Sequence, residues 1–299
     1  MTFNEGAGLD TSQVRSGGSS RGGVLLGGGA GSVILFLVAM LLGVNPFGED
    51  GSSSAFDTSQ VQQSGGSQTD FSQCKTGADA NRDVTCRIIG TVNSVQDYWR
   101  DALPADANRQ YRDAYTVIYS GQTQSACGAA SSAVGPFYCP SDEQVYIDAS
   151  FFDDLTTRFG ADDGALAQMY VVAHEYGHHV QNLLGVLKYA QQDPQGKDSG
   201  AVRVELMADC LAGVWANHAS TTQDAEGTTL IKPLTQTDIE SALSAAAAVG
   251  DDRIQKSATG RVDPESWTHG SAEQRQRWFM TGYEKGDVNS CDTLSARRL

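Results

Sequence analysis

Positive charge is scarce in this chain: Lys and Arg number 21 against 36 Asp and Glu in 299 residues, a formal net charge of −15. Residues 1–44 carry Glu5, Asp10, Arg15 and Arg21, which cancel, so the whole excess falls beyond residue 44. That excess disfavours nucleic acid and anionic lipid headgroups as partners of the downstream region. Histidine is rarer still, with five residues. The six cysteines, Cys74, Cys86, Cys127, Cys139, Cys210 and Cys291, include no Cys-x-x-Cys pair, which removes the usual signature of a zinc–cysteine site.

Against that scarcity stands His174-Glu175-Tyr176-Gly177-His178, which spends two of the five histidines within one helical turn. At about 3.6 residues per turn, positions i and i+4 share a helix face, so both imidazoles can reach one metal ion while Glu175 leans toward an adjacent water. The flanks favour a helix. Ala165, Met169, Val172, Tyr176, Val180 and Leu183 recur at three- and four-residue steps from Ala165 to Gly185, no proline interrupts them, and Gly185 is a suitable stop. A helix this apolar belongs inside a domain, where an imidazole pair is costly unless ligated or hydrogen-bonded.

Zinc hydrolases need a third protein ligand and one open position. The metzincin pattern would require Gly at 181 and His at 184; the chain has Gln181 and Leu184, which excludes it. Downstream, a second helical run from about 201 to 218 sets Glu205 and Asp209 four apart within Leu, Met and Ala. Glu205 can then coordinate the metal while Asp209 accepts a hydrogen bond from a ligand histidine.

His-Glu-x-x-His followed by Glu-x-x-x-Asp on a later helix resembles the gluzincin arrangement of thermolysin-like peptidases. More specifically, Gly135 to Pro140, His174 to Gln181, Glu205 to Trp215 and Thr268-His269-Gly270 together resemble the bacterial neutral zinc metallopeptidase family, over roughly residues 74–299. The resemblance implies a zincin-like fold, one Zn²⁺ held by His174, His178 and Glu205, Glu175 as general base, and a peptide or protein substrate. It also makes the Tyr146 region a candidate edge strand on which an extended peptide could pair. His269, just before a helix whose start Ser271 and Gln274 signal as a capping box, is the candidate donor to the carbonyl oxygen. His179 and His218 read as structural.

Val24 to Val44 is a run of 21 residues without a charge. At about 1.5 Å per residue it is long enough for a hydrocarbon core of about 30 Å, so a single transmembrane anchor is expected. Arg15 and Arg21 before it, with Glu49 and Asp50 after it, place a disordered tail (residues 1–23) in the cytoplasm and the catalytic part outside the cell membrane. A cleaved signal peptide is the alternative. Residues 45–73, rich in Ser, Gly and Gln, read as a flexible linker. The catalytic domain is expected over 74–299.

Every cysteine lies after the hydrophobic run, as suits an oxidising compartment. Six cysteines allow fifteen connectivities. Sequence proximity favours Cys74 with Cys86 and Cys127 with Cys139, leaving Cys210 with Cys291. Residues 115–119 and 144–148 read as strands, and amphipathic helices are expected at about 91–103, 150–159, 237–249 and 272–283. The expected fold class is therefore α+β, a mostly helical domain with a small sheet. Two functions remain: a membrane-anchored zinc peptidase, or a zinc-stabilised binding domain without turnover. Glu175 favours the first, since a structural zinc needs no general base.

Overall fold

The computed structural model describes residues 2–17, 69–132 and 134–299. Nine α-helices and six strands stand among the described residues. The helices are α1 (Gly77–Ala80), α2 (Val84–Ala107), α3 (Phe151–Thr157), α4 (Ala165–Leu184), α5 (Lys188–Gln192), α6 (Gly200–His218), α7 (Gln236–Ala248), α8 (Asp251–Thr259) and α9 (Ala272–Lys285). The strands are β1 (Val14–Ser16), β2 (Tyr115–Tyr119), β3 (Gln122–Ser125), β4 (Gly128–Ser131), β5 (Phe137–Cys139) and β6 (Gln144–Asp148). This is the expected α+β, mainly helical composition.

Helix α4 is the axis of the molecule. Every residue from Leu166 to Gln181 is buried, because α2, α6 and α7 pack around it. Its C-terminus stops at Gly185, whose φ of 73° is the left-handed conformation that glycine adopts without a Cβ clash. Helix α6 starts where the Ser199 side chain accepts a hydrogen bond from the Val202 amide, and α9 starts at the Ser271–Gln274 capping box. Along α6 lies α9, so close that a Cβ on Gly282 would sit 1.9 Å from the Cys210 carbonyl oxygen. The Cys210–Cys291 disulfide ties the same face of α6 to the C-terminal segment. Cys74–Cys86 and Cys127–Cys139 complete the pairing that sequence proximity favoured.

The four-stranded sheet runs β1-β2-β6-β5, with β1, β2 and β6 parallel and β5 antiparallel. Tyr146 is therefore not at an edge. It lies on β6 between Val117 and Phe137, and the free edge near the cavity described below belongs to β5. Strand β5 escapes a reading by length because it is three residues long.

The N-terminal tail also departs from expectation. Residues 2–17 are ordered on the domain rather than disordered. Phe3 is fully buried, and the Asn81 side chain brackets its backbone, accepting from the Phe3 amide at 3.1 Å and donating to its carbonyl at 3.0 Å. Asn93 does the same for Asp10, at 2.9 Å in both directions. Strand β1 then extends the sheet on β2. A strand hydrogen-bonded to a sheet lies on the same side of any bilayer as that sheet, so β1 and the sheet it extends share one side. Residues 69–73, expected as the end of the linker, are held on the domain as well: the Thr69 amide donates to Ser16 Oγ at 2.6 Å, and Phe71 packs against the core. The proposed anchor at 24–44 lies outside the described residues. Among those described, no helix is long and apolar enough to cross a membrane.

Candidate metal centre

Two helices supply the centre. On α4, His174 and His178 point to one side; on α6, Glu205 faces them, and one ligand atom from each of the three lies within 4.8 Å of the others. His174 Nε2 is 3.2 Å from Glu205 Oε2, and His178 Nε2 is 3.5 Å from Glu205 Oε1. Ligands on a tetrahedral Zn²⁺ with bonds of about 2.1 Å stand about 3.4 Å apart, so these separations suit one such ion.

Outer partners set the imidazoles. His174 Nδ1 is 2.8 Å from Asp209 Oδ1, and His178 Nδ1 is 2.8 Å from Gln181 Oε1. Both oxygens are acceptors, since the Gln181 amide nitrogen donates to the Val204 carbonyl at 2.6 Å. Each Nδ1 therefore carries a proton, and when the ring is neutral, as a metal ligand must be, its Nε2 turns a lone pair toward the Glu205 carboxylate. Lone pairs facing a carboxylate in a buried site need a cation between them.

The charge balance agrees. Glu175, Glu205 and Asp209 bring three carboxylates against one guanidinium, Arg275, leaving two negative charges in excess when the imidazoles are neutral. Without a metal ion the carboxylates act on His174 instead: burial opposes its charge, yet Asp209 and Glu205 hold its pKa up to about 10. For Glu205, burial is outweighed by His178, His269 and His174, and the carboxyl is held well below the ordinary range. A divalent cation at this site would supply the missing charge in place of that proton.

Glu175 stands beside the three ligand candidates. It is buried, and its Oε2 has no hydrogen-bond partner, an arrangement that costs free energy unless something enters the cavity to bond it. Burial raises its pKa, although His178 and His174 pull the other way. The cavity of about 370 Å³ above the centre is lined by all three presumptive ligands, by Glu175, and by His269 and Arg275.

The sequence as a whole matches, over residues 4–294, the family described as "Putative neutral zinc metallopeptidase". The chain belongs to that family. It is 54% identical over 301 residues to an uncharacterized protein of Mycobacterium tuberculosis, with each chain covered in full. It is 39% identical over 287 residues to the uncharacterized protein YpfJ of Escherichia coli strain K12, covering 93% of this chain and 92% of that one. No solved structure matches. The metallopeptidase family implies zinc, and the His174–His178–Glu205 group is a site that can hold it.

Within this family member, the loop ahead of α9 brings His269 to the cavity, and Asp251 on α8 organises it. Asp251 Oδ2 accepts from the backbone amides of Thr268, His269 and Gly270 at 2.8, 2.7 and 3.0 Å, while Oδ1 lies 3.4 Å from His269 Nδ1. Burial opposes charge on His269, but Glu205 and Asp251 raise its pKa. Asp209 is more than a partner of His174: it also accepts from the Tyr170 hydroxyl and is clamped by Arg275. Gln181, Asp251, Tyr170 and Arg275 were not legible as site residues. Only Gln181 left a signal, since it follows His178 by three residues on one helix face. His179 and His218 are away from the centre, His179 bonded to Tyr138 and the Arg112 carbonyl, His218 to the Gly286 carbonyl.

Proposed function

We propose that this chain is a zinc-dependent peptidase, with one Zn²⁺ held by His174, His178 and Glu205. The observation that carries the reading is the unpartnered, buried Oε2 of Glu175 beside those side chains. When bound, Zn²⁺ supplies Lewis acidity that polarises a peptide carbonyl and lowers the pKa of a coordinated water toward about 7.

The chain's own groups do the rest. Glu175 accepts the water's proton as its oxygen adds to the carbonyl carbon, then gives that proton to the amine nitrogen as the C–N bond breaks. Burial raises the affinity of Glu175 for a proton, which favours its taking up the one that the water gives. His269, oriented by Asp251, donates to the carbonyl oxygen as negative charge gains on it. Asp209 and Gln181 hold the imidazole rings in place. Strand β5, whose Phe137 lines the cavity, offers backbone groups to an extended peptide. Three disulfides favour an oxidising compartment for the domain.

A zinc-stabilised binding domain is the weaker reading. Structural zinc takes four protein ligands, whereas the group found among the described residues has three. Zinc content measured on the full chain and its variants tests the ligand set. Glu205→Gln should lose the metal, while His269→Ala should retain it with reduced hydrolysis. Full zinc occupancy in Glu205→Gln would refute the assignment.

A further inference from the structure

The cavity wall is mostly apolar, with Val134 and Phe137 before and on β5, Phe151 and Phe159 around α3, and Val249 and Ile254 around α8. Two cations outside the metal centre stand in it, Arg158 and Arg253. Arg158 is engaged: its Nη1 lies 3.1 Å from Asp154, and its guanidinium lies over the Phe159 ring at 5.7 Å. Arg253 is different. Its side chain is exposed and makes no hydrogen bond or ion pair among the described residues.

Neither local structure nor surface pairing accounts for a guanidinium there. Arg253 occupies the first turn of α8, where the positive end of the helix dipole disfavours a cation. Other basic side chains, such as Lys256 and Arg261, also lack an ion pair among the described residues, but of these Arg253 is the one that lines the cavity. The surrounding field also matters. With a net charge of −15, the protein repels an anionic peptide unless a local cation receives it.

We infer that Arg253 is a specificity residue that receives a carboxylate of the peptide, either an acidic side chain or the C-terminal carboxylate. The inference rests on the peptidase reading above. A guanidinium presents paired N–H donors that match both oxygens of a carboxylate. Arg253 takes no part in bond breaking, so it acts on substrate affinity and leaves the chemical step alone.

The test uses the zinc-loaded full chain and four peptides with one shared apolar core: internal Glu or internal Gln, each with a free or an amidated C-terminus. The wild type should show a KM about fivefold lower for one class of carboxylate, as suits an ion pair at a solvent-facing rim. Whether the internal Glu or the free terminus brings the gain identifies the source. Arg253→Gln should erase the preference with kcat unchanged, and Arg253→Glu should reverse it, raising KM for the carboxylate-bearing peptides above that of their neutral counterparts. Equal KM values for all four peptides, or a preference that survives Arg253→Gln, would overturn the inference while leaving the peptidase reading intact. If no peptide is cleaved, the peptidase reading fails separately. Binding of the same peptides by fluorescence anisotropy then decides: carboxylate preference lost in Arg253→Gln upholds the inference, and indifference or no binding refutes it.

Discussion

Arg275 and Asp209 meet through two parallel hydrogen bonds, Nε to Oδ2 and Nη2 to Oδ1, each 2.9 Å long and both residues buried. The guanidinium also donates to the Tyr170 hydroxyl at 3.1 Å and to the Val249 carbonyl at 3.2 Å, so one side chain joins α9 to α4, α6 and the end of α7. Burial alone would raise the Asp209 pKa, but Arg275 and His174 hold it down to about 2. Arg275→Met leaves a buried carboxylate without its partner and should cost about 3–5 kcal/mol of stability in denaturant unfolding. Adding Asp209→Asn should recover part of that loss. Equal stability of the single and double variants would show that the pair is not a unit.

The outer partners of the histidines give a second prediction. Gln181→Leu removes the acceptor from His178 Nδ1, and Asp209→Asn weakens the one at His174 Nδ1. Each should lower zinc affinity about 10- to 100-fold in a chelator competition. Unchanged affinity in both would mean that the rings are fixed by packing alone.

Acid sensitivity follows from Asp251. Burial would raise its pKa, but the hydrogen bond and charge of His269, with the loop amides, lower it below 3.8. A group whose folded pKa is depressed contributes stability that is present above its unfolded value and is lost as pH falls through the folded value. The wild type should therefore lose stability as pH drops below about 4, where an unfolded Asp titrates. Asp251→Asn should start less stable at neutral pH and lose less across that window. Parallel curves for the two proteins, measured as denaturant midpoints against pH, would contradict this account.

The N-terminal arm offers a prediction about folding. Asn81→Ala removes two hydrogen bonds to the Phe3 backbone and should cost about 1–3 kcal/mol. Phe3→Ala should cost about 3–5 kcal/mol, because the ring is fully buried. If deletion of residues 2–17 leaves the thermal midpoint unchanged, the arm is not part of the domain.

Legibility in the sequence tracked contact range. His174, Glu175 and His178 lie on one helix, as do Glu205 and Asp209, so their spacing alone reports a shared face. The limits of α4 were readable because its apolar steps end at a glycine. Helix α8 was not, since Asp251–Thr259 offers Ile254 as its one large apolar residue and the pattern has nothing to repeat. Strands β1 and β5 are three residues each and exist through pairing with distant partners. Arg275 and Asp251 escaped for the same reason: each acquires its role from a residue on another helix or loop, and no local period records that.

Peptide hydrolysis by wild type and Glu175→Gln, both loaded to equal zinc content, tests the central claim most directly. The account predicts that both proteins retain the metal and that only the wild type cleaves, with the loss confined to kcat. Equal cleavage by the two proteins, or no cleavage by a fully zinc-loaded wild type across a broad peptide library, would contradict it.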